Sequence, residues 1–233
     1  MTSLEGAPAK RAKRPDRVAL FATCLADFAA PGLISATVEV LEAMGVQVDL
    51  ASEQTCCGQP ALNSGFPKQA GRVMRQTLDS LEGAVAVVTP AGSCAAMIAH
   101  QAVRLLGPDA ATRSGVRNLW EFTQFVEAFG QDLDLELDAT VTYHDGCHMT
   151  RFLGERSTPR VLLSRIRGLR LVEMPDSDTC CGFGGTFSAK FPELSVAMSD
   201  VKLGNAASTG AREVVSADPG CLMQLQTRAD AIG

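Results

Sequence analysis

Apolar positions along the chain alternate between two periods, and the alternation occurs twice. Residues 18–21 form a strand-length apolar run ahead of Cys24. Val38, Leu41 and Met44 then recur at helical spacing within residues 35–44, with Gly45 as a stop signal. Val46, Val48 and Leu50 alternate, which predicts a strand running toward Cys56. A glycine-containing loop follows, then a helix over about residues 69–81 and a buried strand over 84–88, ahead of Cys94. A helix over about residues 95–106 and an amphipathic helix over 119–129 close the first half.

The second half repeats this order. The run 140–143 precedes Cys147. Val161, Leu162 and Ile166 predict a helix ending at Gly168, and Leu169, Leu171 and Val172 a strand leading to Cys180. A helix over 193–207 and a strand over 213–216 lead to Cys221. Strands alternating with helices predict an α/β fold, here two pseudo-symmetric Rossmann-like lobes with mainly parallel sheets, arising from an internal duplication. The expected divisions are a flexible N-terminal tail (1–15), a first lobe (16–130), an acidic surface linker (131–137) and a second lobe (138–233). The second lobe ends at Gly233 without a counterpart to residues 119–129.

The cysteines make the repeat specific. Eight are present, four per half: Cys24, Cys56, Cys57, Cys94, and Cys147, Cys180, Cys181, Cys221. Cys24 precedes Cys56 by 32 positions and Cys147 precedes Cys180 by 33. Cys57 precedes Cys94 by 37 and Cys181 precedes Cys221 by 40. Buried structural cysteines would not recur in register. Four thiolates per half complete the protein shell of a [2Fe–2S] or [4Fe–4S] cluster. Structural zinc also takes four thiolates, but usually from paired Cys-x-x-Cys knuckles, which this chain lacks. Gly58 and Gly182 follow the adjacent cysteines and permit the close turn that would aim both thiols at one site. Cys94 and Cys221 each stand behind a glycine at an expected helix start, where partial positive charge favours thiolate. Ser64, Gly185, Thr186 and Ser188 are candidate donors toward the sulfurs.

Composition narrows the class. With 46% hydrophobic and 20% charged residues the chain can build a real core. A net charge of −5 gives a nucleic-acid partner no electrostatic support. Lys10, Arg11, Lys13, Arg14 and Arg17 are the one basic concentration, read as a solvated leader. No apolar h-region follows it, and no apolar stretch reaches the roughly 20 residues of a bilayer span. A soluble, cytoplasmic protein is expected. In a reducing compartment eight cysteines point to metal or redox chemistry rather than disulfides.

Other residues carry less. His148 beside Cys147 is a candidate donor, proton acceptor or ligand, with a surface or hydrogen-bonded loop histidine as the plainer reading; His144 and Asp145 are read the same way. His100, Met97, Met223 and Trp120 are expected to be structural. No dinucleotide fingerprint or P-loop is found, and Gly182-Phe183-Gly184-Gly185 is assigned to the cysteine loop.

The segments Cys56-Cys57-Gly58-Gln59-Pro60-Ala61, Gly92-Ser93-Cys94, Cys147-His148-Met149-Thr150-Arg151, Cys180-Cys181-Gly182-Phe183-Gly184-Gly185-Thr186-Phe187 and Gly220-Cys221-Leu222-Met223 resemble the cysteine-rich CCG domain. That domain occurs twice in a subunit of heterodisulfide reductase and in the glycolate oxidase iron–sulfur subunit; the match is nearest the lactate-utilization branch of the family. The resemblance implies an iron–sulfur electron-transfer subunit of a complex oxidising L-lactate to pyruvate. It further implies one [4Fe–4S] cluster per lobe held by the eight cysteines, and no catalytic residue in this chain. Two other subunits would complete the complex, one of them ferredoxin-like, with the quinone pool as a candidate acceptor. A heterodisulfide or thiol–disulfide reductase and a glycolate oxidase subunit are the alternatives. Heterodisulfide reductase closes its cluster-binding CCG motifs with Cys-x-x-Cys, where this chain has Met97 and Gln224. That difference favours cubanes over a five-cysteine noncubane cluster.

Overall fold

The computed structural model describes residues 13–51 and 53–233. In chain order the first lobe has β1 (Arg17–Leu20), α1 (Cys24–Ala29), α2 (Pro31–Ala43), β2 (Gln47–Leu50), α3 (Gln59–Asn63) and α4 (Pro67–Ser80). It continues with β3 (Val87–Thr89), α5 (Gly92–Leu106), α6 (Ser114–Arg117), β4 (Leu119–Glu121) and α7 (Phe122–Phe129). The second lobe has β5 (Glu136–Tyr143), α8 (Thr158–Ser164), β6 (Arg167–Leu171), α9 (Thr186–Lys190), α10 (Pro192–Ala207), β7 (Glu213–Val215) and α11 (Pro219–Ile232).

Each lobe holds one parallel sheet, ordered β2-β1-β3-β4 and β6-β5-β7. The α/β, mainly parallel expectation is met. Strand alternation divides the first-lobe core between two faces. Phe21 and Val87 pack with Met74, Leu78 and Ile98 on one face. Val18 and Val88 pack with Leu41, Trp120 and Phe125 on the other. The second lobe has a smaller cluster of Cys181, Cys221 and Leu225 against Phe183, Leu203 and Val214.

The lobes are joined along their carboxyl edges by near-symmetric contacts. The backbone N–H of Gly92 donates to Ala217 O at 2.9 Å, and that of Ser93 to Asp218 Oδ2 at 2.9 Å. Ser64 Oγ and Thr186 Oγ1 lie 2.9 Å apart, tying α3 to α9. His100 Nε2 lies 2.6 Å from Phe152 O, a structural role as expected.

Several sequence expectations change in detail. Residues 119–129 are not one helix: Leu119–Glu121 pair with β3, and the helix begins at Phe122. Gly168 does not stop a helix but lies inside β6, where positive φ (81°) accompanies a register irregularity between β5 and β6. β5 begins at Glu136, so the end of the expected linker is strand. Arg17 belongs to β1 and bonds Gln47 Oε1 and Asp49 rather than extending the tail; Lys10 and Arg11 lie outside the described residues. Met223 is half-buried rather than core. No described helix is long and apolar enough to cross a membrane.

Glu121 caps α7. Its carboxylate accepts from the Thr123 N–H (2.8 Å) and hydroxyl, while Gln124 Oε1 accepts from the Glu121 N–H. The side chain is only 1% exposed, and burial pushes its pKa up to about 7. An acid raised in the folded state stabilises below its unfolded pKa, and that contribution fades as pH climbs through the folded one. Over the window from about 4.5 to 7 the loss is on the order of 3 kcal/mol. The wild type should therefore unfold more readily at pH 8 than at pH 5.5, and Glu121→Gln should remove most of that difference. Denaturation midpoints at the two pH values check this; an equal pH dependence in both proteins would contradict it.

Candidate metal centre

Because every strand in a sheet runs the same way, the loops leaving β1, β2 and β3 emerge at one edge. Those loops carry Cys24, then Cys56 and Cys57, then Cys94. The second lobe delivers Cys147, Cys180, Cys181 and Cys221 from the ends of β5, β6 and β7. The two edges face each other, and all eight cysteines line one cavity of about 160 Å³ together with Gln59, His148, Phe183 and Asp218. A larger apolar groove of about 1540 Å³ along α2, β7 and α11 holds none of the cysteines.

Local backbone chemistry aims the thiols. Gly58 and Gly182 have φ of +87° and +91°. A Cβ there would stand 2.6 Å from Ala70 O and 2.5 Å from Ser195 O, so only glycine fits. Their N–H groups donate to Cys56 Sγ and Cys180 Sγ, both at 3.4 Å. Thr23 (φ +64°) caps α1 by accepting from the Ala26 N–H at 3.3 Å, which starts a helix at Cys24 itself. Cys94 and Cys221 sit in the first turns of α5 and α11. Asp218 Oδ1 accepts from the Gly220 and Cys221 N–H groups while its Oδ2 reaches across to Ser93. Asp145 binds Arg160 at 2.8 and 2.9 Å and Ser177 at 2.7 Å, fixing the Cys147 loop against the Cys180 loop.

Each quartet is a chain of thiols in contact. Cys24 Sγ lies 3.3 Å from Cys56 Sγ, and hydrogen bonds from the Cys24 and Cys57 thiols hold Cys56 down to about 3 against the effect of burial. Hydrogen bonds from Cys147 and Cys181 hold Cys180 at about 2. Donation to these central sulfurs, reinforced by burial, pushes Cys24, Cys57, Cys147 and Cys181 well above the ordinary thiol range. Two thiolates about 4 Å apart repel by about 4 kcal/mol at an effective dielectric of 20. One thiolate per quartet is therefore stable alone, and full ionisation needs a cation among the sulfurs. In each quartet four soft sulfur donors, backbone N–H donation to the central sulfur and one helix N-terminus behind, α5 or α11, suit a thiophilic metal or an iron–sulfur cluster.

Some donors lie elsewhere than expected. Ser64 and Thr186 bond to each other, and Ser188 Oγ donates to Gly185 O, so these hydroxyls serve the loops rather than the sulfurs. His148 is half-buried, with Nε2 2.7 Å from Gln59 Nε2 and Nδ1 3.5 Å from Cys147 Sγ. His144 departs furthest from a surface or hydrogen-bonded loop histidine. It is fully buried, neither ring nitrogen has a hydrogen-bond partner among the described residues, and burial lowers it to about 4. One ring nitrogen and the sulfurs of Cys181 and Cys221 all lie within 4.8 Å of one another. An unpaired buried polar group costs about 1–3 kcal/mol, which marks the position as built for a partner. Its hint in the sequence is a histidine directly after the apolar run 140–143, where the first lobe has Phe21.

The CCG family model, described as a cysteine-rich domain, matches twice, at residues 18–99 and 141–226. Lactate utilization protein A of Halalkalibacterium halodurans is 41% identical over 223 residues, covering 93% of this chain and 91% of its own. Its namesake in Bacillus cytotoxicus is 40% identical, with 93% of each chain covered. A crystal structure of a hypothetical protein from Helicobacter pylori shares the fold with a TM-score of 0.61. It is 11% identical, and the match covers 97% of this chain and 47% of that one.

Gly182→Ala should cost about 1–3 kcal/mol, the range for strained backbone, and should release metal from the second quartet. Gly210→Ala has similar φ (+70°) but open space around the added carbon, and should retain metal. Melting temperature and bound metal per chain check the pair; full metal retention in Gly182→Ala would contradict the reading of the turn.

Proposed function

The chain belongs to the cysteine-rich CCG domain family, and on that premise we propose that it is a lactate-utilization iron–sulfur protein that relays electrons through two cysteine-held clusters. The observation that carries this reading is the convergence of all eight thiols, four from each lobe, on one cavity. The family match and the resemblance to lactate utilization protein A supply its biological direction.

Clusters bound there would supply reversible one-electron transfer. The chain's own part is to hold and insulate them. Cys24, Cys56, Cys57 and Cys94 would hold one and Cys147, Cys180, Cys181 and Cys221 the other, each as a [4Fe–4S] centre. Cys57, Cys94, Cys181 and Cys221 are buried, so the inner half of each quartet is shielded from water. The N–H groups of Gly58 and Gly182 and the N-termini of α5 and α11 favour the negative charge of thiolate ligation. No residue of the cavity is assigned lactate chemistry. That reaction belongs to two partner proteins of the complex, one ferredoxin-like, with the quinone pool as acceptor.

Anaerobic reconstitution should load roughly four to eight iron per chain with matching sulfide, the span from two [2Fe–2S] to two [4Fe–4S] clusters. Cys57→Ser and Cys181→Ser should each lose about half of that iron, because one quartet is broken and the other kept. Iron and acid-labile sulfide analysis with EPR is the check. A colourless protein holding only zinc, or a single substitution that empties both sites, would refute the proposal. Lactate-dependent reduction of the clusters should appear only when the partner proteins are added.

A further inference from the structure

The geometry points to His144 as a nitrogen ligand of the second-lobe centre, which makes the two centres of the chain chemically different. The inference rests on the iron–sulfur reading above and extends it.

Phe21 and His144 occupy equivalent places. Each directly follows the first strand of its lobe and stands three residues before that lobe's first cysteine. The Phe21 N–H donates to Val88 O at 2.9 Å and the His144 N–H to Val215 O at 2.8 Å, the same step across the same strand pair. Both side chains are fully buried. In the first lobe the space behind the thiols holds a phenyl ring with nothing to donate. In the second it holds an imidazole with no partner among the described residues, grouped with the sulfurs of Cys181 and Cys221.

The surroundings follow the same division. Ala70 and Met74 stand behind the first Cys-Cys-Gly turn where Ser195 and Ser199 stand behind the second, and Met97 is matched by Gln224. Gln224 Nε2 donates to both serines at 3.0 Å, and the serines donate to Gly182 O and Cys181 O. Behind the first turn Thr77 donates to Cys56 O at 3.0 Å, so both sites have hydroxyl support, and the second adds a further serine, a glutamine and the imidazole.

The second lobe then offers five donors where a cubane takes four. Cys181 and Cys221 group with His144, and Cys180 accepts the Gly182 N–H, so the half-buried Cys147 is the thiol that His144 replaces in the four-thiol set of this lobe. Exchanging a thiolate for a neutral imidazole removes one negative charge from the shell and raises the reduction potential, as it does where histidine replaces cysteine in other clusters. The second-lobe centre becomes the electron-accepting end and the first-lobe centre the donating end.

The test uses the full chain, reconstituted anaerobically with iron and sulfide and labelled with ¹⁵N-histidine. Cys57→Ser leaves only the second-lobe cluster in the signal. Pulsed EPR of the reduced protein should show a directly coordinated histidine nitrogen, retained in a His148→Gln background and lost in His144→Phe, the residue the first lobe uses in this place. Cys147→Ser should keep its cluster, whereas Cys24→Ser should lose the first-lobe one. Redox titration should place the second-lobe centre above the first, and His144→Phe should narrow the gap. A second-lobe cluster without histidine nitrogen coupling would overturn this inference and leave the iron–sulfur reading standing. Failure to load any cluster would overturn both.

Discussion

Parallel strand pairing is the constraint from which the site follows. Each cysteine-bearing loop leaves the carboxyl end of a strand, and those ends share an edge only because β1, β2 and β3, and separately β5, β6 and β7, run in one direction. Reversing any one strand would send its cysteine to the far edge, more than about ten ångströms away at about 3.3 Å per residue. Parallel pairing also demands a crossover between strands, and helices such as α2 and α4 supply it while covering the sheet. The chain must then turn sharply from strand to site, which is where Gly58, Gly182 and the left-handed Thr23 are found. Cysteines more than thirty positions apart in the chain thereby meet at one place.

Gathering thiols is a different problem from ionising them. Neighbouring sulfurs at contact distance share protons, so without a cation each quartet keeps one low-pKa sulfur, Cys56 or Cys180, fed by donors on both sides. Cys24, Cys57, Cys147 and Cys181 are held protonated by that sharing and by burial. Several kilocalories of mutual repulsion per thiolate pair therefore await a positive centre, and a soft cation or cluster relieves it. The same logic explains why the donors behind the sulfurs are backbone N–H groups and helix ends. These are fixed dipoles that need no side-chain proton of their own.

Much of this is legible in the sequence because it is periodic. The register of the cysteines, the strand–helix alternation and the glycine after each cysteine pair are local signals, and the parallel sheets follow from them; the sequence suggests one pocket per lobe, and that all eight thiols line a single cavity depends on how the lobes pack. The rest lacks length or depends on tertiary contact. α1, α3 and α9 span five or six residues, too short for a helical period to emerge. β4 is three residues long and merges into the apolar face of α7, so residues 119–129 read as one helix. Gly168 resembles a helix stop because a strand irregularity and a C-cap use the same left-handed glycine. His144 reads as a loop histidine because nothing in one sequence says that the residue after a strand will be sealed behind two buried cysteines.

The repeated cysteine pattern also sets a limit on what identical ligands can do. Two quartets with the same cysteines, the same glycine turns and the same helix ends have no reason to differ in affinity for an electron, and a relay between equal sites has no direction. They face one cavity of about 160 Å³, so no intervening layer of protein separates them. Direction must therefore come from the residues behind the sulfurs, and that is where the lobes diverge. The first quartet rests on Phe21, Ala70, Met74 and Met97, with one buried hydroxyl, that of Thr77, donating to Cys56 O. The second rests on His144, whose ring nitrogens have no partner among the described residues, and on Ser195, Ser199 and Gln224, which brace the carbonyls of Gly182 and Cys181. Core packing alone would tolerate the apolar set twice, as the first lobe demonstrates. Burying His144, Ser195 and Ser199 in the other copy has an energetic cost that shape does not explain, and on the proposed reading a difference in potential between the two centres is what that cost secures.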